Sequence, residues 1–354
     1  MRNLIKNLIA PPAPPHEDLL WLAWKRFAEY DLNSLRHRDN WHNLKNIPLI
    51  LVVLSTLLVL VYTSSGAQVI TEGQSTLWGN AYNSFMNWIN GIKTEPVLDL
   101  IFRFLIILLP ITTSIIMGIE TRFKLGSKYI LLRGAAEAVK RGIYSYRSLN
   151  KITTPPNHLP SSDAELADHI EKVSKILLDS DVKEAAFKPY LGSIPPPMYG
   201  AEAYDDGRSD LTPEEYIRVR IADQLQFYAG RTNQYERRLR RLQIWILVWG
   251  GIGTFLAAIG AQYWIPLTAV IVSSITAFLE YRQIEPMLVK YNLTKASLEN
   301  VRNWWQALPS EHKNDSNTYK LVREVEAILE SENQGWVQYV KQAQETQKGT
   351  NSEE

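Results

Sequence analysis

Residues 242–279 read LQIWILVWGGIGTFLAAIGAQYWIPLTAVIVSSITAFL, 38 consecutive positions without a charge. One helix needs about 20 residues to cross the hydrocarbon of a bilayer, so this run suits two crossings. Gly260, Tyr263, Trp264 and Pro266 mark the reversal between them. Glycine and proline break helices, and Tyr and Trp settle at headgroup level. The spans are expected at about 243–261 and 264–280. The competing reading, a soluble protein with buried core helices, requires a helix pair that is apolar on every face.

The first half repeats the plan. IPLILVVLSTLLVLVY at 47–62 and FLIILLPITTSIIMGI at 104–119 are also uncharged, giving spans at about 47–66 and 98–119. Extending the second back to Val97 includes Asp99 and Arg103, four residues apart and therefore on one helix face. They form an interfacial ion pair or belong to an ion pathway. Pro110 should kink this helix. Between the two spans, an outer segment at 67–97 is rich in Asn and aromatic residues, among them Trp78, Asn80, Tyr82 and Trp88. It is expected to form a short interfacial helix or cap.

Basic residues near span ends set orientation. Arg36, Arg38 and Lys45 precede the first span, and Arg122, Lys124, Lys128 and Arg133 follow the second. Arg237, Arg238, Arg240 and Arg241 precede the third, and Arg282 and Lys290 follow the fourth. Residues 63–99 hold a single basic residue, Lys93. All four basic flanks therefore lie inside, with both termini cytoplasmic and both hairpins pointing outward. The N-terminal MRNLIKNLIAPPAPP is too short in apolar residues and too proline-rich for a signal peptide. A bacterial inner or plasma membrane is the expected location.

The cytoplasmic exits of spans two and four look alike. Thr113-Ser114-Ile115 leads to Glu120-Thr121-Arg122, and Ser273-Ser274-Ile275 leads to Glu280-Tyr281-Arg282 at the same spacing. The expected architecture is an all-α membrane protein of four transmembrane helices, arranged as two parallel-repeat hairpins whose long helical extensions form a cytoplasmic bundle. Inverted-repeat transporter logic does not apply to such a parallel repeat. The domains are a tail at 1–16, a first two-span repeat at 17–149, a Pro-rich linker with a short helix at 150–211, a second two-span repeat at 212–308, and a C-terminal helix with a disordered tail at 309–354. Ser162 and Glu165 suggest a capping box opening the linker helix. Thr212-Pro213-Glu214-Glu215 is a stronger helix start, from which one helix should run into the third span. Pro286 should bend the extension of the fourth span, and a last helix is expected near 317–332.

This arrangement resembles the SLATT family, bacterial two-span proteins associated with nucleotide-second-messenger synthases and SLOG sensors. The resemblance rests on RIADQLQFYAGRTNQYERRLRRLQIWILVWGGIGTFLAAIG (220–260), SSITAFLEYR (273–282) and KYNLTKASLENVRNWW (290–305). The segment 212–308 carries the family's pattern, and 17–149 looks like a diverged second copy. The resemblance implies oligomerisation, pore formation and an effector role in conflict systems. A tandem copy departs from the single-copy plan and leaves room for a regulated housekeeping channel.

Net charge is +1, which gives no basic field for nucleic acid. There are no cysteines, so disulfides, thiolate metal sites and cysteine nucleophiles are excluded. The histidines show no metal-binding spacing, and Gly250-Gly251-x-Gly253 lies in an apolar span without the Lys-Ser/Thr of a phosphate loop. No enzyme activity and no cofactor are expected. Gly250, Gly253, Ala257, Ala269 and Ala277 recur at spacings that let helices approach closely, either within a hairpin or between protomers. Thr113, Ser114, Ser273 and Ser274 are candidates to line an ion path, although such hydroxyls also bond back to their own helix. Glu120 and Glu280 would sit at a cytoplasmic mouth, where acidic rings favour cations; the alternative is pairing with Arg122, Arg282 or another basic flank residue. Asp99 adds to a mildly acidic outer face. The leading expectation is a cation channel of four or more identical protomers in the lipid bilayer, gated through its cytoplasmic bundle by a protein, small molecule or ion. The alternative is a membrane-anchored scaffold or signalling adaptor that docks a cytoplasmic partner.

Overall fold

A computed structural model of the chain describes residues 18–63, 96–150, 152, 163–180, 182, 186–196 and 205–332. Among these the chain is helical, with no strand. The helices are α1 (Leu19–Thr63), α2 (Pro96–Phe123), α3 (Leu125–Leu149), α4 (Asp163–Leu178), α5 (Pro213–Ala258), α6 (Ile265–Tyr281), α7 (Ile284–Ala307) and α8 (Asp315–Glu332). Residues 67–95 of the expected outer segment at 67–97, Ser162 of the suggested capping box, and both chain ends lie outside the described residues.

Four helical stretches are long and apolar enough to cross a membrane: Leu19–Thr63, Asp99–Leu149, Pro213–Ala258 and Gln262–Ala307. Each is about twice the length a bilayer requires, so each span carries a long polar extension. The chain is a membrane protein, and its spanning helices imply contact with lipid.

Local sequence fixes the helix ends. Thr212 caps α5: its hydroxyl accepts from the Glu215 amide (3.3 Å) and the Glu215 carboxylate accepts from the Thr212 amide (2.8 Å). This is the reciprocal capping box expected from sequence, with Pro213 in the first turn. From there α5 runs unbroken into its apolar half, with one π-helical turn at Ile217–Ile221. Gly260 ends the apolar run in the left-handed conformation (φ 79°), which glycine adopts without strain. A single 3₁₀ turn at Gln262–Trp264 then leads into α6.

After α6 the chain breaks rather than bends, and it does so before Pro286. The chain leaves the helix at Arg282 and Gln283, with Gln283 at φ 48°, and Pro286 sits in the first turn of α7. A proline ring collides with the carbonyl four residues before it, which here belongs to Arg282. Interrupting the helix at that residue removes the clash. Pro286 then stands where its missing N–H is not needed. α2 continues through Pro110.

The chain divides into two compact units. The first comprises Met1–Arg38, Gly126–Thr232 and Val289–Glu354 and holds a dense core. Trp24, Leu131, Leu132, Ile143, Tyr144, Tyr216, Ile221, Leu298, Trp305, Leu321 and Val322 are all buried. The Trp24 indole donates to the Gly207 carbonyl at 2.6 Å. The second unit comprises Asp39–Leu125 and Asn233–Leu288. Its apolar helices bury almost nothing inside the chain: 6% of the most apolar window in α1, in α2 and in α6, and none of that in α5.

Candidate functional site

Two polar constellations stand out, one in each unit. In the second unit, an aromatic and charged belt gathers around one end of the apolar helices. On α1, Trp41 and Lys45 are four residues apart and share a face. Lys45 Nζ lies 3.1 Å from the Glu120 carboxylate, and Trp41 Nε1 donates to Glu120 Oε1 at 3.2 Å. The Trp41 ring also meets the Tyr281 ring edge-on at 6.4 Å. Tyr281 donates its hydroxyl hydrogen to Asn46 and accepts from Arg282 Nε, whose guanidinium covers the rings of Phe278 and Tyr281. The belt combines the rings and cations that suit a headgroup zone.

In the first unit, α8 is fastened by carboxylates. Glu326 receives a bidentate pair from Arg220 (Nε 3.0 Å, Nη2 2.8 Å) and a third bond from the Tyr216 hydroxyl at 2.9 Å. Both charged side chains are buried, and the Arg220 guanidinium lies 4.6 Å from the Tyr144 ring centroid. Burial works against the Arg220 charge, but Glu326 beside it more than reverses this and raises its pKa. Glu332 accepts from the Tyr228 hydroxyl at 2.9 Å, and Glu330 pairs with Arg141 at 2.8 Å. Burial raises the Glu332 pKa, opposed by Lys290 and by the Tyr228 bond. Burial likewise raises Asp223 and lowers Lys140. At Glu137, burial is outweighed by Arg133 and Lys140, which hold its carboxyl at about 2.

Residues 216–336 match the family described as SMODS and SLOG-associating 2TM effector domain 1. This segment is similar to a SLATT domain. No curated protein and no solved structure matches the chain. The matched segment begins at Tyr216, inside α5, and continues through α6, α7 and α8. Its extent makes physical sense, because Glu326 and Glu332 on α8 bind Tyr216, Arg220 and Tyr228 on α5.

The sequence candidates are dispersed. Glu120 is engaged by Lys45 and Trp41, whereas Glu280 is exposed. Asp99 pairs with Arg103 at 2.9 Å on the first turns of α2, about 21 Å by helical rise from Thr113. Thr113 and Ser114 donate to the carbonyls of Leu109 and Pro110, four residues back. In the matched segment, Ser273 is exposed and Ser274 half-exposed.

The small residues are not equivalent. A Cβ added to Gly253 would lie 2.7 Å from Thr268 Oγ1, so α5 and α6 approach closely there. A Cβ on Gly250 or Gly251 would meet nothing within 4 Å. Ala257 and Ala269 are exposed and Ala277 half-exposed. Sequence reasoning did not single out Trp41, Asn46, Arg220 or Glu326. Trp41 carried a usable signal, an aromatic residue one turn before the basic flank of an apolar run. Arg220 and Glu326 are 106 residues apart and carried none.

Proposed function

We propose that the protein is a homo-oligomeric membrane channel, conducting cations, with the first unit as a cytoplasmic gate or sensor. The observation that carries this reading is the unspent apolar surface of the spans. The apolar window of α5 buries no residue within its own chain, and Gly250 and Gly251 leave its backbone open to a neighbour. Glycine faces of this kind support close helix packing in lipid. A pore lined by one chain's four helices would be filled by its own side chains, so several copies are required. The match to a two-transmembrane effector domain fits a membrane role.

A tandem duplication supports symmetric assembly. The four long helical stretches measure 45, 51, 46 and 46 residues. The second and fourth are each interrupted by a non-glycine residue with φ 48°, Lys124 and Gln283, shortly after Glu120 and Glu280. The family match covers only the second copy, so the first is a diverged partner in this reading. The basic flanks support a reading with both ends and the first unit inside the cell.

The test is ion flux in liposomes containing purified full-length chain. Flux that depends on protein and follows a cation gradient is expected. Silent bilayers, together with capture of one stoichiometric cytoplasmic partner, would favour the anchored adaptor instead.

A further inference from the structure

Helix α7 carries two stripes, and among the described residues only one of them is buried. Tyr291, Thr294, Leu298, Val301 and Trp305 form the buried stripe. On the opposite side, Val289, Leu293, Ala296, Asn300, Asn303 and Ala307 are all exposed. Their spacing alternates four, three, four, three and four residues, the a/d pattern of a coiled coil. The stripe holds no charge over its whole length, and its two aliphatic members are 54% and 65% exposed (Val289 and Leu293). A water-facing helix ordinarily concentrates its charges on that side. Here the charges lie beside it, at Glu285, Lys290, Lys295, Glu299 and Arg302.

The geometry points to a parallel self-association seam along α7, whose occupant is the same stripe of a second copy. Three features select that occupant. Copies held in one bilayer orientation present α7 in parallel, which makes an a/d stripe self-complementary. In that register, position g of one helix faces position e of the next heptad on its neighbour, five residues on. Glu285 then faces Lys290 of the other copy, an opposite-charge pair, and the remaining flanking pairs, Asn292 with Ser297 and Glu299 with Trp304, bring no like charges together. Asn300 occupies an a position, where a buried Asn pairs with its equivalent and fixes register at a cost in stability. The seam has few aliphatic residues and is weak alone. Confinement of the copies to one membrane supplies the effective concentration that makes it sufficient. The proposal rests on the homo-oligomeric reading and adds the surface and register of assembly.

The absence of native cysteines makes the test direct. Leu293→Cys in full-length chain in native membranes should form a disulfide-linked dimer on oxidation. Lys172→Cys, at a side chain 70% exposed on α4, should not. Glu285→Lys should reduce the Leu293→Cys yield more than Glu285→Gln does. Equal yields at 293 and 172, with the native chain still migrating as an oligomer in mild detergent, overturn the seam and leave the channel reading standing. Strong yield at 293 with silent liposomes sustains the seam and removes the channel.

Discussion

Removing the carboxylate of Glu326 should be the most damaging single change in the first unit. Glu326→Ala leaves the Arg220 guanidinium, only 1% exposed, without its bidentate acceptor, and strips the Tyr216 hydroxyl of its partner. Breaking a buried ion pair on one side costs about 3–5 kcal/mol, because the remaining charge stays desolvated. An orphaned buried hydroxyl is worth about 1–3 kcal/mol by itself, and the two losses overlap rather than add. For a unit of this size each kcal/mol moves the melting temperature by about 2–4 °C, so the expected drop is about 6–20 °C. The stack of Arg220 on Tyr144 cannot rescue the charge, since a cation–π contact supplies about 2 kcal/mol when desolvated. The assay is intrinsic tryptophan fluorescence on heating in detergent, with hydrogen exchange across α8 to show where the structure loosens. The combined variant Arg220→Met/Glu326→Leu/Tyr216→Phe should recover most of the loss, because it leaves no polar group stranded. A drop below about 2 °C for Glu326→Ala, with α8 still protected from exchange, would refute the claim that this pair is desolvated and holds α8 in place.

Three further outcomes follow from the geometry. Gly253→Ala should destabilise by about 1–3 kcal/mol through its contact with buried Thr268, whereas Gly250→Ala should be neutral or stabilising by up to about 1 kcal/mol; paired melting curves check this. The raised pKa of Glu332 means that its folded form prefers the proton: its contribution is full below the ordinary value of 4.5 and is lost as pH rises through the higher folded value. Glu332→Gln should therefore gain on the native chain in melting temperature as pH is raised from 4.5 to 8, and parallel curves would contradict the shift. In reconstituted protein, Glu280→Gln should weaken cation selectivity, measured as reversal potential, more than Glu120→Gln, because Glu280 is exposed while Glu120 is held by Lys45 and Trp41.

What was legible in the sequence was whatever depends on local chemistry or on the bilayer. The uncharged run 242–279 implied two crossings because hydrocarbon thickness sets helix length, and α5 and α6 fill it. Thr212, Pro213 and Glu215 announced the start of α5 because a capping box lies within four residues. Pro286 was read as bending a continuous helix, whereas the helix is interrupted four residues earlier, at Arg282 and Gln283, since a proline acts on the carbonyl four residues before it. Long-range pairing was not legible. Nothing in sequence couples Glu326 to Arg220; for Glu120 the sequence offered pairing with some basic flank residue, and the partner is Lys45, 75 residues earlier. The residues that hold each unit together internally therefore emerged only from the folded helices.

The most direct test of the channel reading is current through a planar bilayer containing the purified full-length chain, under a salt gradient, with insertion verified independently. The account predicts discrete conductance steps whose reversal potential lies on the cation side, carried by a species of four or more protomers. Verified insertion without current at any applied voltage, calcium concentration or pH, from a chain that is monomeric or dimeric in mild detergent, would contradict it.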